Sequence, residues 1–217
     1  MTTSEESLAE ALARHELSVP PEAVAPLEKY CRLLWEWNEK LNLTRHTNFD
    51  LFVGRDLRDT LQLAEHVPPN VDVLDVGTGG GVPGVVLAIL RPDLEVAVCD
   101  SVGKKAAAVE AMVRKLKLPV SVYGVRAENV LHDFRYHTLV SRAVGSLSKL
   151  LTWLEPHWAS IGRLLVIKGP KWVEERGEAR HRGLLRQLEL RKLASYARPG
   201  NDEESVILEL RMKGRGE

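Results

Sequence analysis

The feature that most constrains the fold of this chain is a glycine-rich loop between a predicted strand and a predicted helix. Residues 74–84 have the sequence LDVGTGGGVPG and follow an apolar, β-branched run. Gly77, Gly79 and Gly81 permit positive φ and let a ligand approach the backbone without a Cβ in the way. A loop in this position predicts an α/β domain that binds a ligand where the strand ends.

From residue 71 onward, short β-rich runs alternate with helical patterns. The runs lie at residues 71–76, 94–99, 120–125, 138–143 and 163–168, with helical patterns at 85–90, 104–116 and 147–158. This alternation predicts a mostly parallel sheet with helices on both faces. Two further runs, 190–197 and 205–212, are joined by a polar, turn-rich link and predict an antiparallel pair. Together they give a mostly parallel seven-stranded sheet.

The N-terminal part of the chain has a different pattern. Residues 4–66 are predicted to be helical, and Pro20 and Pro21 fit the start of a helix. A length of 217 residues is enough for one α/β domain with a modest extension. We therefore expect a helical extension over residues 1–66, packed on a core of residues 67–217.

Charge and cysteine content argue against several function classes. The 30 Lys and Arg residues balance the 30 Asp and Glu residues, so the whole-chain charge does not indicate a nucleic-acid partner. Cys31 and Cys99 are too few for a disulfide framework or a cysteine-rich zinc site, and no two histidines are spaced i, i+4. No apolar run reaches the length of about 20 residues that a membrane span requires. The sequence predicts a metal-free cytoplasmic protein with free thiols.

The glycine loop fits two binding fingerprints. Glycines at 79, 81 and 84 with Asp100 about 20 residues later match a dinucleotide site, which suggests NAD. Asp75, two residues before Gly77, instead resembles motif I of the Rossmann-like methyltransferases that use S-adenosylmethionine (SAM). In either case Asp100, at the end of the next strand, can accept hydrogen bonds from ribose hydroxyls. The antiparallel C-terminal pair and the lack of room for a separate substrate domain favour SAM, with an NAD-linked oxidoreductase as the alternative.

Further motifs carry a more specific resemblance. They lie at residues 38–44 (NEKLNLT), 75–79 (DVGTG), 82–84 (VPG), 100–105 (DSVGKK), 126–128 (RAE), 141–143 (SRA) and 168–169 (KG). In this order and spacing they resemble the 16S rRNA guanine-N7 methyltransferases, also called the glucose-inhibited division protein B family. The resemblance implies a SAM-dependent enzyme that methylates N7 of a guanine in 16S rRNA, with another acceptor as an alternative.

The resemblance also implies site residues. It places SAM contacts at Gly77, Val82, Ala127, Glu128 and Arg142, to which the loop pattern adds Gly79 and Asp100. Guanine N7 carries an available lone pair, so no residue is expected to act as a general base and positioning supplies the acceleration.

The RNA-facing side is predicted from local charge. Residues 163–192 contain nine Lys or Arg and four Glu, so phosphate contacts are expected at Lys168 and Lys171, together with Arg142. An ordinary charged helix face is the alternative. The predicted partner is 16S rRNA, within the small ribosomal subunit or as naked RNA. Asp56 and Thr60 stand where the family usually has His and Ser.

Overall fold

The apolar runs of the sequence form the strands of a seven-stranded sheet in a computed structural model, which describes residues 6–199 and 203–214. The strands are β1 (Asp72–Val76), β2 (Glu95–Cys99), β3 (Ser121–Tyr123), β4 (Tyr136–Arg142), β5 (Ile161–Lys168), β6 (Leu188–Ala197) and β7 (Glu204–Met212). Their order is β3-β2-β1-β4-β5-β7-β6. The first five strands are parallel, and β7 is antiparallel to both of its neighbours. The predicted mostly parallel sheet with an antiparallel C-terminal pair is confirmed, although the link between β6 and β7 lies partly outside the described residues.

Helices cover both faces of this sheet. They are α1 (Leu8–Arg14), α2 (Pro21–Asn38), α3 (Phe49–Leu51), α4 (Arg58–Ala64), α5 (Gly84–Leu90), α6 (Gly103–Leu116), α7 (Ala127–Asp133), α8 (Leu147–Leu154) and α9 (Trp172–His181). A π-helical segment, Phe52–Leu57, joins α3 to α4. The helix predicted over residues 147–158 continues as α-helix only to Leu154, because Pro156 has no N–H to donate and the chain tightens into a 3-10 turn.

The two faces of the sheet have separate hydrophobic cores, since alternate residues of a strand point to opposite sides. Val73 of β1 lies in a core with Leu27 of α2 and Phe52 of the π-helical segment. Leu74 lies in the other core, with Leu150 of α8. The N-terminal helices therefore pack against one face of the sheet. The domain boundary expected at residues 66 and 67 stays a prediction.

Both cysteines belong to the buried interior of the fold. Cys31 of α2 and Cys99 of β2 are buried and form no disulfide. Burial raises the pKa of the Cys99 thiol to about 12, which keeps the nucleophilic thiolate scarce. Within residues 6–199 and 203–214, no helix is both long enough and apolar enough to cross a bilayer.

Candidate functional site

The glycine loop folds back onto the end of the neighbouring strand. The backbone N–H groups of Gly77 and Thr78 both donate to the carbonyl of Cys99, at 2.9 and 3.0 Å. Gly77 has a φ of +72°, and a Cβ there would lie 2.5 Å from Cγ2 of Val144. Only glycine meets both conditions without strain. The loop is thereby held open at the carboxyl ends of β1 and β2, where ligands bind in folds of this class.

Asp75 forms hydrogen bonds to both ends of the glycine loop. Its Oδ2 accepts hydrogen bonds from the Thr78 hydroxyl at 2.6 Å and from the Gly84 N–H at 2.8 Å. A Cβ on Gly84 would lie 2.8 Å from that same oxygen. The side chain is fully buried, and this burial raises the pKa of Asp75 to about 6 despite both hydrogen bonds. Asp75 therefore joins the two ends of the loop and does not face a ligand.

Replacing Asp75 by Asn is expected to remove from the pH profile of stability a contribution that falls as pH rises. Folding raises the pKa of Asp75 from 3.8 to about 6, so between these values the folded state keeps a proton that the unfolded state has lost. The contribution of Asp75 to the free energy of unfolding therefore falls as pH rises through this window, by up to about 3 kcal/mol. Urea unfolding of Asp75→Asn and wild type from about pH 4 to about pH 7 measures the difference. Parallel profiles would contradict the raised pKa.

Asp100 ties the loop to the start of α6. Its Oδ2 accepts the Gly79 N–H at 2.9 Å and its Oδ1 accepts the Val102 N–H at 2.8 Å. A carboxylate has about four lone-pair positions, so each oxygen can accept one further hydrogen bond. Asp100 thus combines a fixed orientation with spare acceptor capacity.

Two adjoining pockets open around Gly77 and Asp100. The first has a volume of about 280 Å³ and extends to the start of α7 and to α8. It is lined by Val76, Gly77, Cys99, Asp100, Ser101, Val125, Arg126, Ala127, Glu128, Val144, Lys149, Leu150, Trp153 and Leu154. The second, of about 300 Å³, lies between the glycine loop, α2 and the end of β4. It is lined by Leu34, Leu43, Thr44, Gly77, Thr78, Gly79, Gly80, Val82, Asp100, Ser101, Lys105, Arg142, Ala143 and Val144.

Arg142, at the end of β4, is held by two carboxylates from the N-terminal helices. Its Nη2 lies 2.6 Å from Oδ1 of Asp56 and its Nη1 lies 3.1 Å from Oδ2 of Asp59. Nδ1 of His46 lies 2.9 Å from Oδ1 of Asp56, and the hydroxyl of Tyr196 donates to Oδ1 of Asp59 at 2.7 Å. We call these five side chains the Arg142 cluster.

The charges of the Arg142 cluster reinforce one another. Burial alone would raise the pKa of Asp56, but the Arg142 charge and the His46 hydrogen bond outweigh it and hold that pKa below its ordinary value. Burial would likewise lower the pKa of Arg142, and the charges of Asp56 and Asp59 raise it instead. The cluster therefore presents a permanently charged, fixed guanidinium to the second pocket.

Comparison with known proteins places this site in a family. A family model described as rRNA small subunit methyltransferase G matches residues 23–205. The chain belongs to this family. The rRNA small subunit methyltransferase G of Rhodopirellula baltica is 54% identical over 207 residues, which cover 88% of this chain and 90% of that protein. The protein of the same name from Chlorobium chlorochromatii is 38% identical over 162 residues, or 73% of this chain and 69% of that one.

Solved structures agree on the fold. A methyltransferase from Pyrococcus furiosus superposes with a TM-score of 0.55 at 10% identity, covering 72% of this chain and 83% of that one. The 23S rRNA methyltransferase ErmE gives a TM-score of 0.54 at 16% identity, covering 74% of this chain and 70% of its own. The Rossmann-like methyltransferase fold and the family resemblance are both confirmed. Membership in the rRNA small subunit methyltransferase G family sets the NAD-linked oxidoreductase aside.

The residues predicted to bind cofactor lie together in this family member. Ala127 and Glu128 line the first pocket, Gly79, Val82 and Arg142 line the second, and Gly77 and Asp100 line both. They come from the ends of three strands and the start of α7, and the fold brings them to one cleft. That they bind a cofactor stays a prediction.

The residues predicted to contact RNA are placed differently from one another. Lys171 is exposed just before α9, where a phosphate can reach it. Lys168 is only 7% exposed: its Nζ donates to the carbonyl of Gly145 at 2.6 Å and lies 2.8 Å from Oε2 of Glu175. Its position favours a structural role, because the ammonium joins β5 to the loop before α8 and to α9.

The structure adds two residues near the site that the sequence does not point to. Trp153 of α8 lines the first pocket beside Leu150. Helical periodicity identifies the inward face of α8 but does not separate its core-facing part from its pocket-facing part. Tyr30 of α2 donates through its hydroxyl to the Gly80 carbonyl at 3.0 Å. No local pattern marks such a contact across 50 residues.

Among the described residues, no three His, Cys, Asp or Glu side chains form a group able to hold a metal ion.

Proposed function

We propose that this chain transfers a methyl group from SAM to N7 of a guanine in small-subunit ribosomal RNA, in the cytoplasm. The observation that carries the proposal is the placement of Asp100 at the junction of the two pockets. There Asp100 lines both pockets next to the glycine loop, and its carboxylate has acceptor positions beyond the two that the Gly79 and Val102 N–H groups occupy. Membership in a methyltransferase family supports the reaction type.

The residues of the cleft fit SAM. The first pocket, which is lined by Leu150 and Trp153 of α8 and by Ala127 and Glu128 of α7, suits an adenine ring. Asp100 suits the ribose hydroxyls, since its fixed carboxylate has acceptor capacity to spare. A Cβ at Gly77 would narrow the passage between the pockets, so glycine leaves room for the chain that joins the two ends of the ligand.

The second pocket suits the methionine end of SAM and the target base. Gly79, Val82 and Arg142 line this pocket, and a guanidinium can form charge-assisted hydrogen bonds to a carboxylate or a phosphate. When bound, SAM supplies a methyl group activated by the positive charge on its sulfur.

The chain itself acts by positioning. Guanine N7 attacks through a lone pair, so no proton has to be removed first and no side chain is assigned as a general base. Holding the base in line with the methyl group converts an encounter in solution into a reaction within one complex, which supplies much of the acceleration. The rigid Arg142 cluster fixes one wall of the pocket in which this alignment takes place.

The test is transfer of labelled methyl from SAM to small-subunit rRNA prepared from cells that lack the modification. Naked RNA and small subunits are offered separately, and the labelled nucleoside is identified. We expect 7-methylguanosine, and the better acceptor shows the assembly stage that is recognised. Another labelled nucleoside, or no label from a chain that binds SAM, would overturn the proposed acceptor. Stabilisation by NADH and not by SAM would overturn the cofactor.

A further inference from the structure

The charges of α9 are separated onto two sides of the helix. Trp172, Arg176 and Arg180 recur every four residues and so follow one side. Glu174 and Glu178 lie about 120–160° away from these residues around the helix axis, at about 100° per residue. Glu174 and Glu178 therefore do not share the surface of these arginines, and the third glutamate of α9, Glu175, is paired with Lys168, its Oε2 lying 2.8 Å from Nζ of that lysine.

A pocket of about 290 Å³ lies between α9, the start of β6 and the end of β7. It is lined by three arginines, one lysine and three leucines, namely Arg176, Arg180, Arg186, Lys213, Leu185, Leu188 and Leu190. No acidic residue is among these lining residues. Within the part of the chain that the structure describes, none of the three guanidinium groups forms an ion pair. We call this pocket the cationic cleft.

The alternation of β6 extends the positive surface along α9. Leu188, Leu190 and Lys192 point to the side of the sheet that carries α9, while Glu189 and Arg191 point away and pair with each other at 2.8 Å. Nζ of Lys192 lies 6.0 Å from the centre of the Trp172 ring.

Arg176 joins the two halves of this surface. Its guanidinium carbon lies 5.0 Å from the centre of the Trp172 ring, and the same residue lines the cationic cleft. Because α9 follows β5, its first residue lies near the carboxyl ends of the parallel strands, where the glycine loop also lies. From Trp172 to Arg180 the helix extends about 12 Å away from that edge.

We propose that the cationic cleft binds phosphate groups of the RNA substrate at a distance from the methylated base. Trp172 and Lys192 continue this contact surface towards the glycine loop. The proposal rests on the proposed function and adds a second contact surface to it. Guanidinium groups match the geometry of phosphate and bind it through paired hydrogen bonds. Such contacts fix the position of the RNA and supply affinity, without reading its sequence.

The test compares two triple variants with the same change in net charge. Arg176→Gln/Arg180→Gln/Arg186→Gln removes the arginines of the cationic cleft. Arg114→Gln/Lys115→Gln/Lys117→Gln removes three exposed cations at the end of α6. Binding of naked small-subunit rRNA is measured at several salt concentrations. We expect the cleft variant to lose about 2 from the magnitude of the slope of log K against log salt, at about 0.7 per released single-strand phosphate contact.

The steady-state constants KM and kcat provide a second measurement. Because the cleft is remote from the reacting atoms, its variant should raise KM for rRNA and leave both kcat and SAM affinity at the wild-type level. The α6 variant should keep the wild-type slope and KM. Equal slopes and KM for the cleft variant and wild type would overturn the proposal, and so would an equal loss in both variants, which would show an effect of net charge alone.

The outcome is separable from that of the proposed function. If wild type transfers no methyl group to rRNA, the proposed function fails, while the salt dependence still shows whether the cleft binds RNA. If wild type methylates rRNA and the cleft variant does so with unchanged KM, only the cleft fails. Arg180→Gln/Lys213→Gln changes two exposed side chains and keeps the comparison available if the triple variant folds poorly, with an expected slope loss of about 1.4.

Discussion

Replacing Arg142 by Gln should lower the free energy of unfolding by about 3–5 kcal/mol, because it leaves a buried carboxylate without its counter-charge. The side chain of Asp56 is 1% exposed and lies 2.6 Å from the Arg142 guanidinium. Nδ1 of His46 also contacts it, at 2.9 Å, but His46 carries a full positive charge only when protonated. Urea unfolding at neutral pH, with the denaturant slope checked for constancy, measures the loss.

Two companion variants separate this cause from a general effect of losing an arginine. Arg182→Gln removes an arginine from an exposed pair with Glu178 and should change stability by no more than about 0.5 kcal/mol. Adding Asp56→Asn to Arg142→Gln removes the uncompensated charge and should recover at least half of the loss. A loss below about 1 kcal/mol in Arg142→Gln, or no recovery in the double variant, would contradict a buried charge pair. Both Arg142 variants should also bind SAM more weakly.

The sheet could be predicted because its determinants are local. The runs that form β1 to β5 are contiguous in the sequence, and the Gly77 loop marks where the first of them ends. The antiparallel arrangement of β6 and β7 follows from their short link. The positions predicted for cofactor contacts also follow from this logic, since Gly77, Asp100 and Ala127 each stand directly after a strand or at the start of a helix.

The Arg142 cluster could not be predicted from local patterns. Its members come from a loop, two N-terminal helical segments, β4 and β6, and the Tyr196–Asp59 contact spans 137 residues. In the sequence, Asp56 stands out only as a departure from the family, where His is usual. The structure gives it a partner on each side, Arg142 and His46, so the carboxylate and imidazole meet through tertiary contacts.

Lys168 is a second residue whose partners depend on tertiary contacts that the local sequence does not reveal. A lysine at the end of a strand in a basic segment indicates a substrate contact, which is what the sequence predicts for Lys168. The structure instead surrounds its ammonium with the Gly145 carbonyl and the Glu175 carboxylate. Glu175 also accepts the N–H of Leu147 at 2.6 Å. Which cation of a basic segment is free depends on acids brought near by folding, and these do not follow from net charge.

Asp100→Ala should weaken SAM binding by about 100-fold or more, because hydrogen bonds to a charged group contribute about 1.5–3 kcal/mol each. The same change removes the acceptor of the hydrogen bonds that the Gly79 and Val102 N–H groups donate at 2.9 and 2.8 Å. Isothermal titration with SAM measures the loss. Asp133→Ala is the matched control, since Asp133 is exposed at the end of α7, and it should bind SAM as wild type does.

A loss of affinity alone does not show whether Asp100 contacts the ribose or only holds the loop, and a second ligand separates the two roles. S-adenosylhomocysteine and its 2′-deoxy analogue differ only in the 2′-hydroxyl, which is proposed to donate a hydrogen bond to Asp100. Wild type should prefer the hydroxylated ligand by about 10-fold or more. Asp100→Ala should show no preference, because the hydroxyl then has lost its acceptor. A preference of equal size in both proteins would place the ribose elsewhere and leave Asp100 as a support of the glycine loop. If Asp100 contacts the hydroxyl, the effects of Asp100→Ala and of removing the hydroxyl cannot be additive.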